Sequence, residues 1–182
     1  MFDLAKKVLP HTVTVRGRLY DIQTDYRYWL RFSEHIREKD ARTIDFDYMY
    51  ISKKPEDRQA GINALIDFLQ PKTELPRRTG DERTVLDYKL DAPYIYAAFY
   101  ERYSIDLFEI KNLHWHKFLA LLRGIHDTEL NQIMSARLYQ PTDKGGEYER
   151  AKMKQYEAWR LPEPDDNEPD EALEAFDREL RG

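Results

Sequence analysis

Apolar side chains recur at spacings of three and four residues in six separate segments of this chain. This spacing places them on one face of a helix, so each segment is expected to form an amphipathic helix. Prolines and capping residues mark the segment ends, which keeps the helices short. The expected helices run from Thr24 to about Asp40, from Pro55 to Pro71, from Asp91 through Tyr103, from beyond Asp106 through Trp115 to Ile125, from Asp127 or Thr128 to Pro141, and from Tyr148 to Arg160.

The N-terminal part of the chain has a different pattern. Thr12–Val15 is rich in β-branched residues, and Arg18–Ile22 follows after a turn that contains Gly17. Two short strands about such a turn are typical of a β-hairpin, which must pack on helices or pair with another chain to be stable. The predicted fold class is therefore mostly α, a compact helical domain of about six helices with a small N-terminal β-hairpin.

The end of the chain is strongly acidic. Residues 163–182 hold nine acidic and two basic residues, a net charge of −7. The whole chain has 29 Lys and Arg against 34 Asp and Glu, so residues 1–162 keep 27 bases and 25 acids, a net charge of +2. We expect a helical domain with the hairpin in residues 1–162. Residues 163–182 are expected to be an acidic, proline-punctuated flexible tail, in which Leu173 and Phe176 could anchor one short helix.

Composition argues against several classes of protein. The chain has no cysteine, which excludes disulfides, thiolate metal sites and cysteine nucleophiles. It has no apolar run of about 18 residues, so no membrane span is expected, and its short, charged N-terminus is unlike a signal peptide. The near-neutral body argues against a nucleic-acid-binding face. We therefore expect a soluble, intracellular protein with neither nucleic acid nor membrane as a partner.

No local motif predicts catalysis. The chain has only seven glycines and no glycine-rich phosphate loop, nucleophile elbow or helical zinc motif. Asp45 and Asp47 alternate with aromatic residues, which is more typical of a solvated strand face or a turn than of a catalytic pair. No catalytic residue, cofactor site or metal site is predicted.

The most metal-like cluster is His114-Trp115-His116. On a strand the two histidines would share a face, but on a helix they would lie about 200° apart. Because the surrounding pattern is helical, we expect them on opposite sides, each hydrogen-bonded at a helix flank. Trp115, like Trp29, is predicted to be a core residue.

Tyrosine is unusually frequent, with 13 Tyr against 8 Phe. Tyrosine combines an apolar face with a polar tip and is enriched where proteins meet proteins. The alternative is a tyrosine-rich core whose hydroxyl groups reach the surface. Both interpretations stay open at this point.

Two blocks of the sequence are familiar as a pair. The first is Ile22–Phe32 (IQTDYRYWLRF), and the second joins Phe99–Leu107 (FYERYSIDL) to Leu113–Leu122 (LHWHKFLALL). Together they resemble the bacteriophage "gene product fifteen" family, found in tailed phages and prophages of Gram-positive bacteria. The resemblance extends from about residue 13 to residue 160, so the acidic tail lies outside it.

The chain departs from the family pattern at two positions. Ser104 stands where the pattern leads us to expect glycine, which affects the turn after the third helix. His116 stands where a second tryptophan is common, which suggests a tolerant position rather than a ligand.

The resemblance implies a tail assembly chaperone without catalytic chemistry. Such a protein oligomerises, coats the helical tape measure protein and helps tail tube subunits to polymerise around it. The implied partners are the tape measure protein, the tail tube protein and further copies of the chain, all in the host cell cytoplasm. A chaperone of this kind would be absent from the mature virion.

Candidate partner-binding residues lie on two predicted helices and in the tail. Amphipathic helices of the tape measure would lie in grooves lined by the aromatic residues of the two helices, while the tail would recruit or release tube subunits. Copies of the chain could associate by pairing the Val13–Val15 edge. The candidate residues are Tyr26, Trp29, Tyr96, Tyr100, Leu173 and Phe176.

Two other functions stay open. A structural virion protein, such as a tail connector or completion subunit, would remain in purified particles. A small phage enzyme would leave no local motif if distant residues assembled its site.

Removal of the tail provides a first test. A chain truncated after Pro162 should keep the melting temperature of the full chain, because Leu173 and Phe176 bury too little apolar surface to offset the entropy of ordering the segment. Its binding to purified tail tube protein should become weaker and less dependent on salt. A large drop in melting temperature would show that the tail is an integral helix of the fold. Unchanged binding to the tail tube protein would show that the tail takes no part in recruiting tube subunits.

Overall fold

The computed structural model describes residues 5, 7–37, 45–70, 84–140 and 146–162. The predicted mostly-α class is confirmed: these residues form six α-helices and one N-terminal hairpin. The elements are β1 (Thr12–Val15), β2 (Arg18–Asp21), α1 (Tyr26–His35), α2 (Arg58–Leu69), α3 (Ala92–Tyr103), α4 (Trp115–Gly124), α5 (Glu129–Arg137) and α6 (Glu147–Trp159), with a short 3₁₀ turn at Asp47–Met49.

The hairpin forms as the sequence predicts. β1 and β2 are antiparallel, with Thr12 opposite Asp21 and Val15 opposite Arg18. Arg16 and Gly17 between them have φ angles of 48° and 78°, the left-handed backbone that a tight two-residue hairpin turn requires. The side chains of Val13 and Val15 are buried, and α2 packs against β1.

Helix boundaries differ from the predicted ones by a few residues. The N-cap of α1 is Asp25, not Thr24: its carboxylate accepts a hydrogen bond from the backbone N–H of Arg27 at 3.1 Å. This helix ends at His35 rather than near Asp40. The second helix begins at Arg58 rather than Pro55, because Asp57 caps it by accepting from the N–H of Ala60.

Stacked aromatic rings form the core between α1 and α4. Trp29 and Trp115 are 0% and 1% exposed, which confirms their predicted burial. Their ring centroids lie 6.3 Å apart at 20°, and Phe68 stacks on Trp29 at 4.7 Å. The indole N–H of Trp29 donates to the carbonyl of Gln23, and that of Trp115 donates to the carbonyl of Leu69. Both buried nitrogens therefore have a hydrogen-bond partner.

The Asp45–Tyr50 segment forms a turn that contains the short 3₁₀ helix. Asp45 accepts a hydrogen bond from the N–H of Asp47 at 2.8 Å, and Asp47 forms an ion pair with Lys54. This agrees with the expected turn and leaves both carboxylates in structural roles.

The chain divides into two compact units, Met1–Gln132 and Ile133–Gly182, with the boundary inside α5. In the second unit the Arg137 guanidinium donates to the carbonyl of Trp159 at 2.6 Å, and none of the side chains of α6 is buried. The predicted boundary at residue 162 stays a prediction, since residues 163–182 lie outside the described residues.

The turn after α3 generates a stability prediction. Ser104 has φ 52° and ψ 32°, a left-handed conformation that glycine adopts more easily, and its N–H donates to the carbonyl of Tyr100. Ser104→Gly should therefore raise the free energy of unfolding by about 1 kcal/mol, measured by urea denaturation.

Ser135→Gly is the matched control for this change. Ser135 lies inside α5, so the same substitution there should lower the free energy of unfolding. A Ser104→Gly variant that is no more stable than the natural chain would contradict the strain argument.

Candidate functional site

The structure separates the predicted partner-binding residues into three groups. Tyr26 and Trp29 are 5% and 0% exposed, so both belong to the core. On α3, Tyr96 is half-buried and Tyr100 is 56% exposed. Leu173 and Phe176 lie outside the described residues. Among the described candidates, only Tyr96 and Tyr100 are therefore accessible to a partner.

Tyr96 and Tyr100 are part of a larger aromatic surface that includes Phe108. The ring of Tyr96 stacks on that of Tyr100 at 6.2 Å and lies 5.3 Å from that of Phe108. Phe108 is 85% exposed, the most exposed large apolar side chain among the described residues. We call Tyr96, Tyr100 and Phe108 the aromatic patch. Helical periodicity did not identify Phe108. Its position in the sequence between two amphipathic helices could have indicated an exposed apolar residue, because a residue there does not belong to the buried face of either helix.

The loop that carries Phe108 is held by Asp106. One carboxylate oxygen of Asp106 accepts from the N–H groups of Phe108 and Glu109 at 2.9 and 3.2 Å. The other oxygen accepts from the hydroxyl of Tyr96 at 3.1 Å. Phe108 therefore stands on a turn with a defined backbone, which is tied directly to α3.

Residues of α1 hold the same loop from its other side. The Arg27 guanidinium donates to the carbonyls of Leu107 and Ile110 at 3.1 and 2.7 Å. The Tyr26 hydroxyl also donates to the carbonyl of Leu107, at 2.7 Å. Tyr26 thus contributes to the candidate surface as a buried support rather than as a contact residue.

The aromatic patch has negative charge beside it. The pKa of Tyr96 is raised, first by its hydrogen bond to Asp106, then by burial and by the negative charges of Asp106 and Glu109. The patch is therefore an apolar surface with carboxylates along one border. Such a surface can bind a partner by complementary shape and charge without taking part in a chemical reaction.

The two histidines at α4 are not opposed, contrary to the sequence prediction. His114 precedes the helix with extended backbone (φ −57°, ψ 135°), so the helical angle between the two residues does not apply. Its Nδ1 accepts from the N–H of His116, and the two rings lie 5.2 Å apart. The predicted hydrogen bonds at the helix flanks do form.

Both histidines link α4 to other parts of the chain. Nε2 of His114 lies 2.8 Å from the carbonyl of Pro10, and Nε2 of His116 lies 3.0 Å from the carbonyl of Phe68. Since only an N–H can bond a carbonyl, both rings carry the Nε2 proton. Nδ1 of His116 is buried without a hydrogen-bond partner. Burial is the main cause that lowers the pKa of each ring.

Within the described residues there is neither a cluster of metal ligands nor a membrane-spanning helix. No group of three or more His, Cys, Asp or Glu side chains is arranged to hold a metal ion within the ranges given above. No helix in those ranges is long and apolar enough to cross a membrane.

One comparison with known proteins found a relationship. A family model described as "Bacteriophage Gp15 protein" matches residues 5–159, which confirms the resemblance seen in the two sequence blocks. No curated protein and no solved structure matches the chain.

The histidine pair predicts a pH-dependent stability. Because the folded state lowers the pKa of His114 and His116 below the ordinary 6.5, it binds fewer protons than the unfolded chain below that pH. The free energy of unfolding should therefore fall between about pH 7 and pH 5. Urea denaturation at several pH values measures this.

Variants separate this effect from other titrating groups. His114→Gln with His116→Gln should flatten the pH dependence, and His126→Gln, at an exposed position, is the control. A residual slope is expected from His35, whose pKa is also lowered by burial. An unchanged slope in the double variant would contradict the assignment.

Proposed function

The chain belongs to the bacteriophage Gp15 protein family, and on this premise we propose that it is a tail assembly chaperone. The family supports a phage structural or assembly protein and is not a known enzyme family. The proposed chaperone oligomerises, coats the helical tape measure protein and promotes polymerisation of the tail tube. It acts by binding alone, without catalytic chemistry.

The observation that carries this proposal is the aromatic patch. A long helical protein with apolar faces aggregates unless another protein covers those faces. A chaperone for such a partner needs exposed apolar groups that are fixed in place, because fixed groups lose less entropy on binding. Phe108 and Tyr100 meet this need, since α3 and the Asp106 turn hold them at the surface.

Oligomerisation through the hairpin is the second part of the proposal. β1 pairs only with β2 in the part of the chain that the structure describes, and β2 continues into a bridge between Ile22 and Tyr50. The outer edge of β1 is thus the edge we assign to pairing between copies. Val13 and Val15 act there through their backbone, because their side chains are buried within the chain.

Location follows from the proposed role. The chaperone works in the host cell cytoplasm, where tails assemble, and the growing tube displaces it from the tape measure. The acidic tail, with Leu173 and Phe176, recruits tube subunits in this scheme. Purified particles would then lack the protein.

Two measurements test this function. The tape measure protein of the same phage should be insoluble when expressed alone, and should become soluble and co-purify when co-expressed with the full chain. Mass spectrometry of purified particles should find tube and tape measure proteins without this chain. Its recovery in particles at a fixed ratio to the tape measure would instead identify a structural virion protein.

A further inference from the structure

Phe108 is exposed on a backbone that is fixed by hydrogen bonds. Asp106 accepts from two N–H groups of the turn, and Arg27 donates to two of its carbonyls, so the loop cannot turn Phe108 inward without losing these bonds. An apolar ring that stays 85% exposed on such a loop costs solubility and contributes little to the fold. Aromatic residues held in this way are typical anchors of protein interfaces.

The surface beside Phe108 follows the axis of α3. Pro93, Ala97 and Tyr100 are exposed and Tyr96 is half-buried, at spacings of three and four residues. They form a stripe of about two helical turns, roughly 10 Å long at the rise of an α-helix. A stripe of this length matches the apolar anchors that one amphipathic helix presents at positions i, i+3 or i+4, and i+7.

Charge distinguishes between possible occupants of this surface. Asp106 accepts a hydrogen bond from the Tyr96 hydroxyl at 3.1 Å, and the negative charges of Asp106 and Glu109 help to raise the pKa of that hydroxyl. A helix whose apolar face is bordered by Lys and Arg would complement these carboxylates. A second copy of the chain bound symmetrically through this face would bring the same carboxylates together, and like charges at contact repel.

We propose that the aromatic patch, extended by Pro93 and Ala97, binds an amphipathic helix whose apolar face is bordered by basic residues. Phe108 and Tyr100 insert against the apolar face of that helix, and Asp106 and Glu109 pair with its basic border. The inference rests on the proposed function for the identity of the partner, a helical segment of the tape measure protein. The recognition itself depends only on the chemistry of the patch.

A synthetic helix tests the recognition without the tape measure. The probe is a fluorescent peptide of about 20 residues, long enough to form a helix, with leucines at spacings of three and four and lysines beside them. Anisotropy should show that the full-length chain binds it, and that it binds a matched peptide with glutamates beside the leucines much more weakly. No binding of the lysine peptide, or equal binding of both peptides, would overturn the inference.

Variants at exposed positions locate the contact. Phe108→Ala should weaken binding of the lysine peptide about tenfold or more, while Leu19→Ala, at a 71% exposed position on β2, should leave it unchanged. Glu109→Lys should weaken binding of the lysine peptide and strengthen binding of the glutamate peptide. Glu56→Lys makes the same charge change at another exposed position and is the control. Equal affinities for the natural chain and Phe108→Ala would overturn the proposed contact.

Co-expression with the tape measure separates this inference from the proposed function. If the natural chain keeps the tape measure soluble and the Phe108→Ala variant does not, the inference and the proposed function are both supported. If both chains keep it soluble equally well, the patch is not the contact, although the chaperone function survives. If neither does while the peptide results hold, the chaperone function fails and the patch remains a site for basic amphipathic helices.

Discussion

The described residues of the first unit depend on a short backbone bridge between Asp25 and His114, the caps of α1 and α4. The N–H of Tyr26 donates to the carbonyl of Leu113 at 2.9 Å, and the N–H of Trp115 donates to the carbonyl of Thr24 at 2.7 Å. The Asp25 carboxylate also accepts from the N–H of Leu113. Because this bridge aligns the starts of both helices, the indole rings of their first turns can stack in the core.

The same region supports the candidate surface. Arg27 lies two residues beyond Asp25, pairs with its carboxylate and also holds the loop that carries Phe108. One network of hydrogen bonds therefore connects the buried core to the loop of the exposed aromatic patch. The network thereby holds Phe108 in a defined position at the surface.

Helices α1 to α5 were predictable from spacing because each buries apolar side chains on one face, and the burial of Trp29 and Trp115 followed from the same pattern. Spacing could not separate core from surface tyrosines, since Tyr26 and Tyr100 lie in similar aromatic stripes and only the packing of α1 on α4 buries the first. The opposed histidines were a wrong prediction because a tertiary contact, the bridge at His114, makes that residue the N-cap, so that the helix begins only at Trp115. Phe108 was missed because a fixed turn, rather than a periodic element, holds it.

The bridge also has a consequence for the order in which the molecule forms. Asp25 and Leu113 are 88 residues apart along the chain, so α1 leaves the ribosome long before its partner has been synthesised. Until α4 emerges, the aromatic face of α1 has no Trp115 to cover it, and closing so long a segment is slow. During translation the nascent chain thus displays apolar surface of its own, and a protein proposed to shield other chains from aggregation first passes through a stage in which it needs shielding itself.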